Sequence, residues 1–594
     1  MLFLDFYKAF DSIEHGFIFK TLEKFGFGNL FIRAVKTLYV NGNSSIKLKH
    51  GTSPRFELQR GIRQGCPISP YLFILTTQLL ANHIKNSALQ GVGIMGKEII
   101  ISQLADDTTL FLKNSDQIPL ALDAIKTFSD ASGLHLNVLK CELMPIKELS
   151  VSSICNIQVK ETITYLGIVI SKNSKLRCNL NFLPIIEKAK KRFNQWLQRD
   201  LSLKGRILLS KAEGISRLTY AAISLDLDRV ICKRIDQLLC NFVWKNKTHY
   251  IKKSVLSNSF SNGGLNFVDF ATLNNTFKIN WLRNYLRNPF SIWNIIPEYV
   301  FSQLGGLSFL LMCNFSIEKI PVALCNFHKQ ALLAWSMIFK HNFSPTNYFI
   351  WNNKNICYKH KSLFFENWFK NGINRVSQLF NQDGYLFTYQ EFLSHYNTPV
   401  TPKQFATVFG AIPNGVIMLF KGHNSFLTSS EIPLPDPTDT YIGRICFKST
   451  LKNNRGIRLL FLNDSVSTSH VVTKWNALVE NISWKKVWTL PNKYLLVNKV
   501  KEISFKLIHR YYPVKTFMVS TFKLSIDVNC TFCDSQPETI LHLFWHCDHT
   551  RKLWQDICQF IVNYIYKDFE IYFKDVLFGF FIFEMCKMCK MCKV

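Results

Sequence analysis

The first 170 or so residues alternate short apolar runs with stretches in which apolar residues recur every three or four positions. Short apolar runs are typical of strands, and the longer period is typical of helices that pack on a sheet. Asp11 and Glu14 have capping-box spacing, which predicts a helix that starts there and buries Phe25 among other apolar residues. The pattern therefore predicts an α+β domain over residues 1–172, with Asp11 as a helix cap rather than a metal ligand.

Beyond residue 172 the pattern becomes mainly helical. Residues 173–285 combine helical periodicity with many Lys and Arg residues, which predicts a basic helical region. Residues 286–480 are rich in Phe, Asn and Trp and predict a mainly helical connecting region of unknown role, with a linker or a long loop at Pro433 to Pro437. A Cys- and His-containing segment, 481–570, precedes a low-complexity tail, 571–594, which contains Cys586, Cys589 and Cys592.

The net charge narrows the class of partner. The 594 residues include 71 Lys and Arg against 41 Asp and Glu, a formal charge of +30 that suits nucleic acid or an anionic membrane. No apolar run approaches the roughly 18 residues of a membrane span, so we expect nucleic acid and no membrane. The 17 cysteines are odd in number and mostly scattered, which predicts a reducing, intracellular location rather than a disulfide scaffold.

Two sets of carboxylates stand among apolar residues. Asp106 and Asp107 follow Leu104-Ala105, and Asp5 ends the apolar run Leu2-Phe3-Leu4. Adjacent buried carboxylates repel each other, so they need a cation, hydrogen bonds or a raised pKa. We interpret the pair as the turn of a hairpin that presents Asp106 first and Asp107 second to a metal such as magnesium, although an isolated Asp-Asp pair is more often an exposed turn.

A loop rich in Gly and Pro lies between the two acidic sites. It runs from Arg60 to Pro70 and contains Arg63, Gln64 and Gly65. Arg63 can meet a phosphate, the Gln64 amide can donate and accept hydrogen bonds, and Gly65 lets a nucleotide approach closely. Taken alone, the loop is also compatible with an ordinary turn before a helix.

The order of these blocks resembles the reverse transcriptase palm of LINE-type, non-LTR retrotransposons. The blocks are Leu4-Asp5-Phe6-Tyr7-Lys8-Ala9-Phe10-Asp11, Arg63-Gln64-Gly65-Cys66-Pro67-x-Ser69-Pro70, Ala105-Asp106-Asp107, and Ser132-Gly133-Leu134 to Lys140, followed by Tyr165-Leu166-Gly167. The resemblance implies a right-hand polymerase fold: a palm with a mixed or antiparallel sheet and helices, a helical thumb, and a mainly helical C-terminal region with a small zinc module.

The same resemblance implies roles for individual residues. Asp5, Asp106 and Asp107 would hold two Mg²⁺ ions, with the Phe6 carbonyl as a further ligand. Phe10 would block a ribose 2′-hydroxyl, although a core aromatic is a strong alternative. Arg63, Gln64 and Gly65 would bind substrate, and Lys140 would lie near pyrophosphate unless it is only a solvated lysine. Tyr165, Leu166 and Gly167 would form the primer grip.

The resemblance extends beyond the palm. Leu201 to Ile207, Phe242 to Lys245 and Gly263-Gly264-Leu265 look like the LINE thumb and the segment after it, whose lysines and arginines would contact duplex phosphates. The implied partners are an RNA template, a DNA primer or target and dNTPs. The implied location is the nucleus or the cytoplasm, in a ribonucleoprotein.

Near the C-terminus a Cys3His set has the spacing of a zinc module. Cys530 and Cys533 are followed by His542 and Cys547, with His546 and His549 as rival ligands. Four protein ligands of this type suit structural Zn²⁺. The segment resembles the zinc-binding domain found after LINE-type reverse transcriptases.

The chain also differs from the family pattern at its N-terminus. The catalytic strand begins at Met1, four residues before Asp5, so we expect an N-terminally truncated chain that lacks the fingers. Two hypotheses follow. The chain is an RNA-directed DNA polymerase that transfers nucleotides to a primer 3′-hydroxyl, or it is a catalytically inactive remnant that only binds nucleic acid.

Overall fold

The structure, a computed structural model, describes residues 1–421, 441–442, 445–446, 454–463, 470–493 and 496–578. The predicted linker at 433–437 and the cysteines of the tail lie outside these residues. Contacts divide the described chain into two compact units, Met1–Asn181 with Phe290–Gln303 and Phe182–Pro289 with the described residues from Leu304 onward. The domain boundaries given above stay predictions.

The first unit contains fourteen strands and six complete helices, most of them short. The strands are β1 (Leu2–Leu4), β2 (Asn43–Ser44), β3 (Lys47–Leu48), β4 (Gly51–Thr52), β5 (Phe56–Glu57), β6 (Val92–Ile94), β7 (Lys97–Ile99), β8 (Ile101–Leu104), β9 (Asp107–Leu110), β10 (Glu142–Leu143), β11 (Ser153–Ile154), β12 (Ile157–Val159), β13 (Thr162–Tyr165) and β14 (Ile168–Ser171). The helices are α1 (Ala9–Ser12), α2 (His15–Lys24), α3 (Asn29–Tyr39), α4 (Ser69–Lys85), α5 (Gln117–Ser132) and, in the segment 290–303, α12 (Ile295–Ser302).

A six-stranded mixed sheet forms the centre of this unit, in the order β11–β12–β10–β1–β9–β8. All neighbours are antiparallel except β10 and β12. Leu2 and Leu4 point from β1 into a core that is shared with α2, α4 and α5. Phe3 points to the opposite face, because side chains alternate along a strand, and packs there with Ile163 and Tyr165. The mixed α+β class expected for residues 1–172 is confirmed.

One helix begins later than the sequence predicts. The prediction of a capping box at Asp11 and Glu14 was wrong. Helix α2 starts at His15, after Glu14 in an extended conformation, and the Glu14 side chain makes no cap hydrogen bond. Asp11 instead lies in the short helix α1, which follows Lys8 in a left-handed conformation (φ 39°). Phe25 was also misplaced, since it is exposed at the end of α2.

The second unit is mainly helical. Its complete helices are α7 (Leu203–Leu209), α8 (Ser216–Ser224), α9 (Arg229–Val243), α10 (Lys253–Ser257), α11 (Phe270–Arg287), α13 (Leu307–Met312), α14 (Asn326–Ile338), α15 (Glu366–Lys370), α16 (Tyr389–Tyr396), α17 (Pro402–Gly410), α18 (Asn414–Phe420), α19 (Asn454–Asn463), α20 (His470–Asn476), α21 (Trp484–Lys493), α22 (Asn498–Ile508), α23 (Lys515–Phe522), α24 (Asp548–Tyr564) and α25 (Phe573–Phe578). Helix α6 (Ser174–Leu197) runs from one unit into the other, and the strands are β15 (Cys357–Tyr358), β16 (Lys361–Ser362), β17 (Tyr441–Ile442) and β18 (Ile445–Cys446).

The helices of the second unit surround several apolar cores. Residues 309–420 share an aromatic core that includes the fully buried Trp351 and Trp368. A separate core joins Trp488 of α21 to Ile508 of α22 and to Ile540 near the Cys3His segment. Among the described residues, no helix has both the length and the hydropathy that a bilayer crossing requires.

The three segments that resemble the thumb meet the helices around residue 500 in one contact area, which we call the Gly263 interface. It contains Leu203, Arg206, Val243, Gly263, Trp488, Glu502 and His509. The His509 Nε2 atom donates a hydrogen bond to the Gly263 carbonyl over 2.9 Å, and the Trp488 ring stacks on His509 with a centroid distance of 4.8 Å. A Cβ added to Gly263 would lie 2.9 Å from the Trp488 ring, so only glycine fits. The Leu203 amide donates to Glu502 Oε2 over 2.9 Å.

Arg206 does not contact nucleic acid as predicted from its segment. The residue is 5% exposed, and its guanidinium donates to the carbonyls of Val243, over 2.6 Å, and of Leu201. A buried guanidinium needs such acceptors because desolvation of the charge is costly. Arg206 therefore joins the start of α7 to the end of α9 and is unable to reach a duplex phosphate.

The buried imidazole of His509 should make the Gly263 interface sensitive to acid. Burial lowers the pKa of His509 from 6.5 to about 4, so below pH 6.5 the unfolded chain binds a proton that the folded chain excludes. The free energy of unfolding should therefore fall as the pH drops from 6.5 toward 4, by up to about 1.4 kcal/mol per pH unit from this residue. The slope can be measured by urea unfolding followed by tryptophan fluorescence at a series of pH values.

The variant His509→Gln keeps a side-chain N–H donor but does not titrate, so its stability should depend less on pH in this range. His360→Asn, in an exposed turn, serves as the matched control and should retain the wild-type slope. An identical slope in wild type and His509→Gln would contradict the prediction.

Candidate functional site

The structure brings the three predicted carboxylates together at one end of the central sheet. Strands β8 and β9 form a hairpin in which Leu104 pairs with Asp107, and Ala105 and Asp106 form its two-residue turn. Ala105 has φ 54°, a left-handed conformation that allows the tight turn. Asp106 therefore lies at the tip of the hairpin and Asp107 at the first position of β9.

Asp5 faces this hairpin because of the register between β1 and β9. Phe3 pairs with Thr109 and Leu4 pairs with Thr108, so the next step along the two strands sets Asp5 opposite Asp107. Directly opposed residues in an antiparallel pair point to the same face, with Cβ atoms about 4.5 to 5.5 Å apart. Sequence reasoning preferred Asp106 to Asp107, whereas this register makes Asp107 the cross-strand neighbour of Asp5.

Electrostatic repulsion links the three acids. The pKa of Asp107 is raised above its usual value, first by desolvation and then by the negative charges of Asp106 and Asp5. The hairpin holds this arrangement through Thr108, whose hydroxyl donates to the Asp106 carbonyl and accepts from Gln103. A bound cation would relieve the repulsion, and hard carboxylate oxygens are the ligands that Mg²⁺ prefers. The donor set therefore fits magnesium.

The segment 136–141 supports Asp5 from the other side. The buried Asn137 donates its backbone N–H to the Asp5 carbonyl over 2.8 Å, and Phe6 forms a backbone bridge with Leu136. Lys140 follows in a short 3₁₀ turn, where its amide donates to the Asn137 carbonyl and its side chain is exposed. Lys140 is thus linked to the Asp5 backbone only through Asn137, and its side chain makes no hydrogen bond or ion pair with the three acids, all of which lie among the described residues.

Phe10 is held by a second ring. It is half-buried and stacks on Phe73 of α4 with a centroid distance of 4.3 Å and an interplanar angle of 21°. Its carbonyl accepts the Ile62 amide over 2.8 Å. One face of the Phe10 ring packs on Phe73, while part of the residue remains exposed to solvent. The two roles considered for Phe10, a core aromatic and a ring that faces a sugar, are therefore compatible.

The loop that contains Arg63, Gln64 and Gly65 leaves these residues exposed. Gly65 adopts φ 81°, and a Cβ at this position would touch nothing within 4 Å. The backbone conformation, and not the available space, is therefore what favours glycine there.

The hairpin β13–β14 carries the predicted primer-grip residues. Tyr165 and Ile168 pair across a turn in which Leu166 and Gly167 both have positive φ (49° and 74°), as in a type I′ turn. The Tyr165 ring meets Phe3 edge-on at 5.4 Å. The hairpin is therefore packed against β1, the strand that directly precedes Asp5.

The structure also brings the side chains of the Cys3His set together, and it leaves the alternative ligands His546 and His549 outside this group. The ligand atoms of Cys530, Cys533, His542 and Cys547 all lie within 4.8 Å of one another. The Cys530 and Cys547 Sγ atoms are 3.9 Å apart, and Cys533 Sγ is 3.2 Å from His542 Nε2. Tetrahedral Zn²⁺ with Zn–S and Zn–N distances of about 2.3 and 2.0 Å requires ligand separations of about 3.5 to 3.8 Å. The donor set fits zinc, whereas His546 and His549 are exposed.

A buried carboxylate orders the loop that bears the first two cysteines. Glu538 is 6% exposed and accepts hydrogen bonds from the Thr531 amide and hydroxyl and from the Lys515 amide. These bonds lower its pKa against the opposing effect of desolvation, which is the largest single cause. The sequence alone predicts no role for Glu538, because nothing in the spacing of the Cys3His set shows that its carboxylate closes this loop.

Two family models match the two parts of the chain that hold these sites. Residues 1–170 match "Reverse transcriptase (RNA-dependent DNA polymerase)", and residues 465–554 match "zinc-binding in reverse transcriptase". Residues 1–170 form a reverse transcriptase domain. The resemblance to non-LTR reverse transcriptases, inferred from the motifs, is confirmed, as is the presence of the associated zinc-binding segment.

Several curated relatives are retroelement proteins. The chain is 24% identical over 361 residues to the transposon TX1 uncharacterized 149 kDa protein of Xenopus laevis, which covers 57% of this chain and 27% of that protein. It is 29% identical over 191 residues to the Pol polyprotein from the type-2 retrotransposable element R2DM of Drosophila melanogaster, covering 30% of this chain and 18% of the relative. A type-1 element R2 polyprotein of Popillia japonica is 28% identical over 138 residues, 23% of this chain and 19% of the relative. The matched part is thus less than a third of each relative's length.

Proposed function

We propose that the reverse transcriptase domain catalyses RNA-directed DNA synthesis, in which a primer 3′-hydroxyl attacks the α-phosphorus of an incoming dNTP and pyrophosphate leaves. The observation that carries the proposal is the register that sets Asp5 opposite Asp107 beside Asp106 in a domain of this family. The proposed partners are an RNA template, a DNA primer or target, and dNTPs, consistent with the charge of +30.

In this proposal each residue positions one part of the reactants. The three carboxylates hold two Mg²⁺ ions, which when bound neutralise the charge that develops on the attacking and leaving oxygens. Arg63 and Lys140 carry exposed positive charges for the triphosphate, and the β13–β14 hairpin supports the primer end. The Phe6 carbonyl is a further proposed ligand. The proposed location is intracellular, in the nucleus or the cytoplasm, because an odd number of mostly scattered cysteines suits a reducing compartment.

Primer extension on an RNA template tests the roles of the acids. We expect Asp106→Ala to abolish Mg²⁺-dependent incorporation, and Asp5→Ala and Asp107→Ala to reduce it by about a hundredfold or more, because a displaced metal misaligns the reacting atoms. The matched control is Asp123→Ala, at an exposed position of α5, and it should retain wild-type activity.

Binding is measured on the same samples. A wild-type protein that binds primer–template but incorporates nothing with Mg²⁺ or Mn²⁺ would overturn the polymerase proposal and leave the alternative, a remnant that only binds nucleic acid. Full activity in Asp106→Ala would also contradict it.

The Phe10 ring should determine which sugar is accepted. We expect Phe10→Ala to increase the efficiency of rNTP incorporation relative to dNTP by about tenfold or more, because the ring no longer excludes the 2′-hydroxyl. Leu79→Ala, a core truncation elsewhere on α4, controls for general loosening and should not change the ratio. An unchanged ratio in an active Phe10→Ala variant would contradict this role.

For the second unit we propose a structural zinc ion held by Cys530, Cys533, His542 and Cys547. Metal analysis of the folded wild-type protein should find stoichiometric zinc, and Cys533→Ser should lose it and lower the melting temperature, since metal binding contributes directly to folding. Cys558→Ser lies outside the cluster and should retain the metal. No zinc in the folded wild type, or an unchanged content in Cys533→Ser, would remove the site.

A further inference from the structure

The carboxylate of Asp11 is neither a helix cap nor part of the acidic trio, yet it has a partner of its own. The Gln64 Nε2 atom donates a hydrogen bond to Asp11 Oδ1 over 3.3 Å, across 53 residues of sequence. Both side chains line a cleft of about 540 Å³ together with His15, Tyr39 and Arg63. The pair therefore borders an open cleft of the reverse transcriptase domain.

The backbone beneath this pair is fixed by several contacts. The Ile62 amide donates to Phe10, the Gly61 amide donates to Ile13, and the His15 Nε2 atom donates to the Gly61 carbonyl over 2.8 Å. Gly61 has φ 86°, and a Cβ there would lie 2.8 Å from the Asp11 carbonyl oxygen. Any larger residue would push the loop away, so the approach of the two segments depends on this glycine.

The chemistry of the pair sets the orientation of the Gln64 amide. An ionised carboxylate only accepts hydrogen bonds, so Asp11 attracts the NH2 group and repels the carbonyl oxygen of the amide. The Oε1 atom is therefore turned away from Asp11, and it has no protein hydrogen-bond partner among the described residues. Without Asp11, an exposed glutamine amide would rotate freely and present either end.

We propose that Asp11 is a positioning residue that locks Gln64 with its carbonyl oxygen toward the incoming nucleotide, where that oxygen accepts a hydrogen bond from the sugar. A deoxynucleotide has one sugar hydroxyl, at the 3′ position, and this hydroxyl donates the hydrogen bond to the Gln64 carbonyl oxygen. A fixed orientation of that oxygen therefore favours nucleotides that carry a 3′-hydroxyl. Asp11 thus acts through Gln64 and touches no reacting atom. The inference rests on the proposed function, because it assigns the nucleotide to the same site.

The affinity for nucleotide can be measured without turnover. A primer that ends in a dideoxynucleotide forms no new bond, so titration of dTTP with Mg²⁺ into the full chain bound to this primer and an RNA template gives a dissociation constant. We expect Asp11→Ala to weaken dTTP binding by about fivefold to tenfold, the effect of one lost polar contact. Asp11→Asn keeps an acceptor oxygen and should remain within about twofold of wild type.

Two comparisons separate positioning from general structural damage. The preference for dTTP over ddTTP should shrink in Asp11→Ala, because ddTTP lacks the 3′-hydroxyl, and Asp11→Ala should add nothing in a Gln64→Ala background. Asp130→Ala, an exposed acid on α5, is the matched control. Unchanged dTTP affinity in Asp11→Ala, equal losses for dTTP and ddTTP, or additive effects with Gln64→Ala would each overturn the proposal.

This design also separates the two proposals. If the wild type binds dTTP but extends no primer, the polymerase proposal fails while the dissociation constants still decide the role of Asp11. If the wild type binds no nucleotide at all, the role of Asp11 is overturned as well.

Discussion

The register of β1 between β9 and β10 is the constraint on which the reverse transcriptase domain depends. The strand has only three residues, and Leu2 lies opposite Leu110 on one side and Leu143 on the other. Side chains alternate between the two faces of a sheet, so a slip by one residue would move Leu2 and Leu4 out of the helix-covered core. It would also turn Asp5 away from the face that holds Asp107. The same apolar contacts that stabilise the domain therefore place Asp5 and Asp107 on one face of the sheet.

The site is built from segments that approach each other closely at small residues. Gly61 lets the loop at 60–70 touch the backbone of Asp11, and the left-handed Ala105 lets the hairpin turn within two residues. These contacts hold like charges near one another. Desolvation first, and then the charges of Asp106 and Asp5, raise the pKa of Asp107, and a bound cation would offset the repulsion. Rigid backbone contacts are what make such a destabilising arrangement persist in the fold.

In the second unit, basic side chains occupy two different environments. Exposed lysines such as Lys188 and Lys191 on α6 remain available to a polyanion. Arg206 instead satisfies backbone carbonyls at the Gly263 interface, where the zinc-binding segment and the thumb-like segments share Trp488 and His509 as packing partners. The core around Trp488 continues to Ile540 beside the Cys3His set. The zinc-binding segment is thus packed continuously with helices that precede it by more than 200 residues.

The sequence by itself determined the mixed α+β class of the first 172 residues, the acids at 5, 106 and 107, and the spacing of Cys530, Cys533, His542 and Cys547, because these depend on local periodicity and on residue chemistry. It did not determine which acid faces Asp5, since that follows from a strand register set by distant Leu–Leu pairs. It also misassigned Asp11, whose spacing to Glu14 imitates a cap, and Arg206, whose charge suggests a phosphate contact. Only the tertiary structure decided that Asp11 contacts Gln64 and that Arg206 contacts the Val243 carbonyl. The reason is that the hydrogen-bond partner of each side chain lies far away in the sequence and is brought close only by folding.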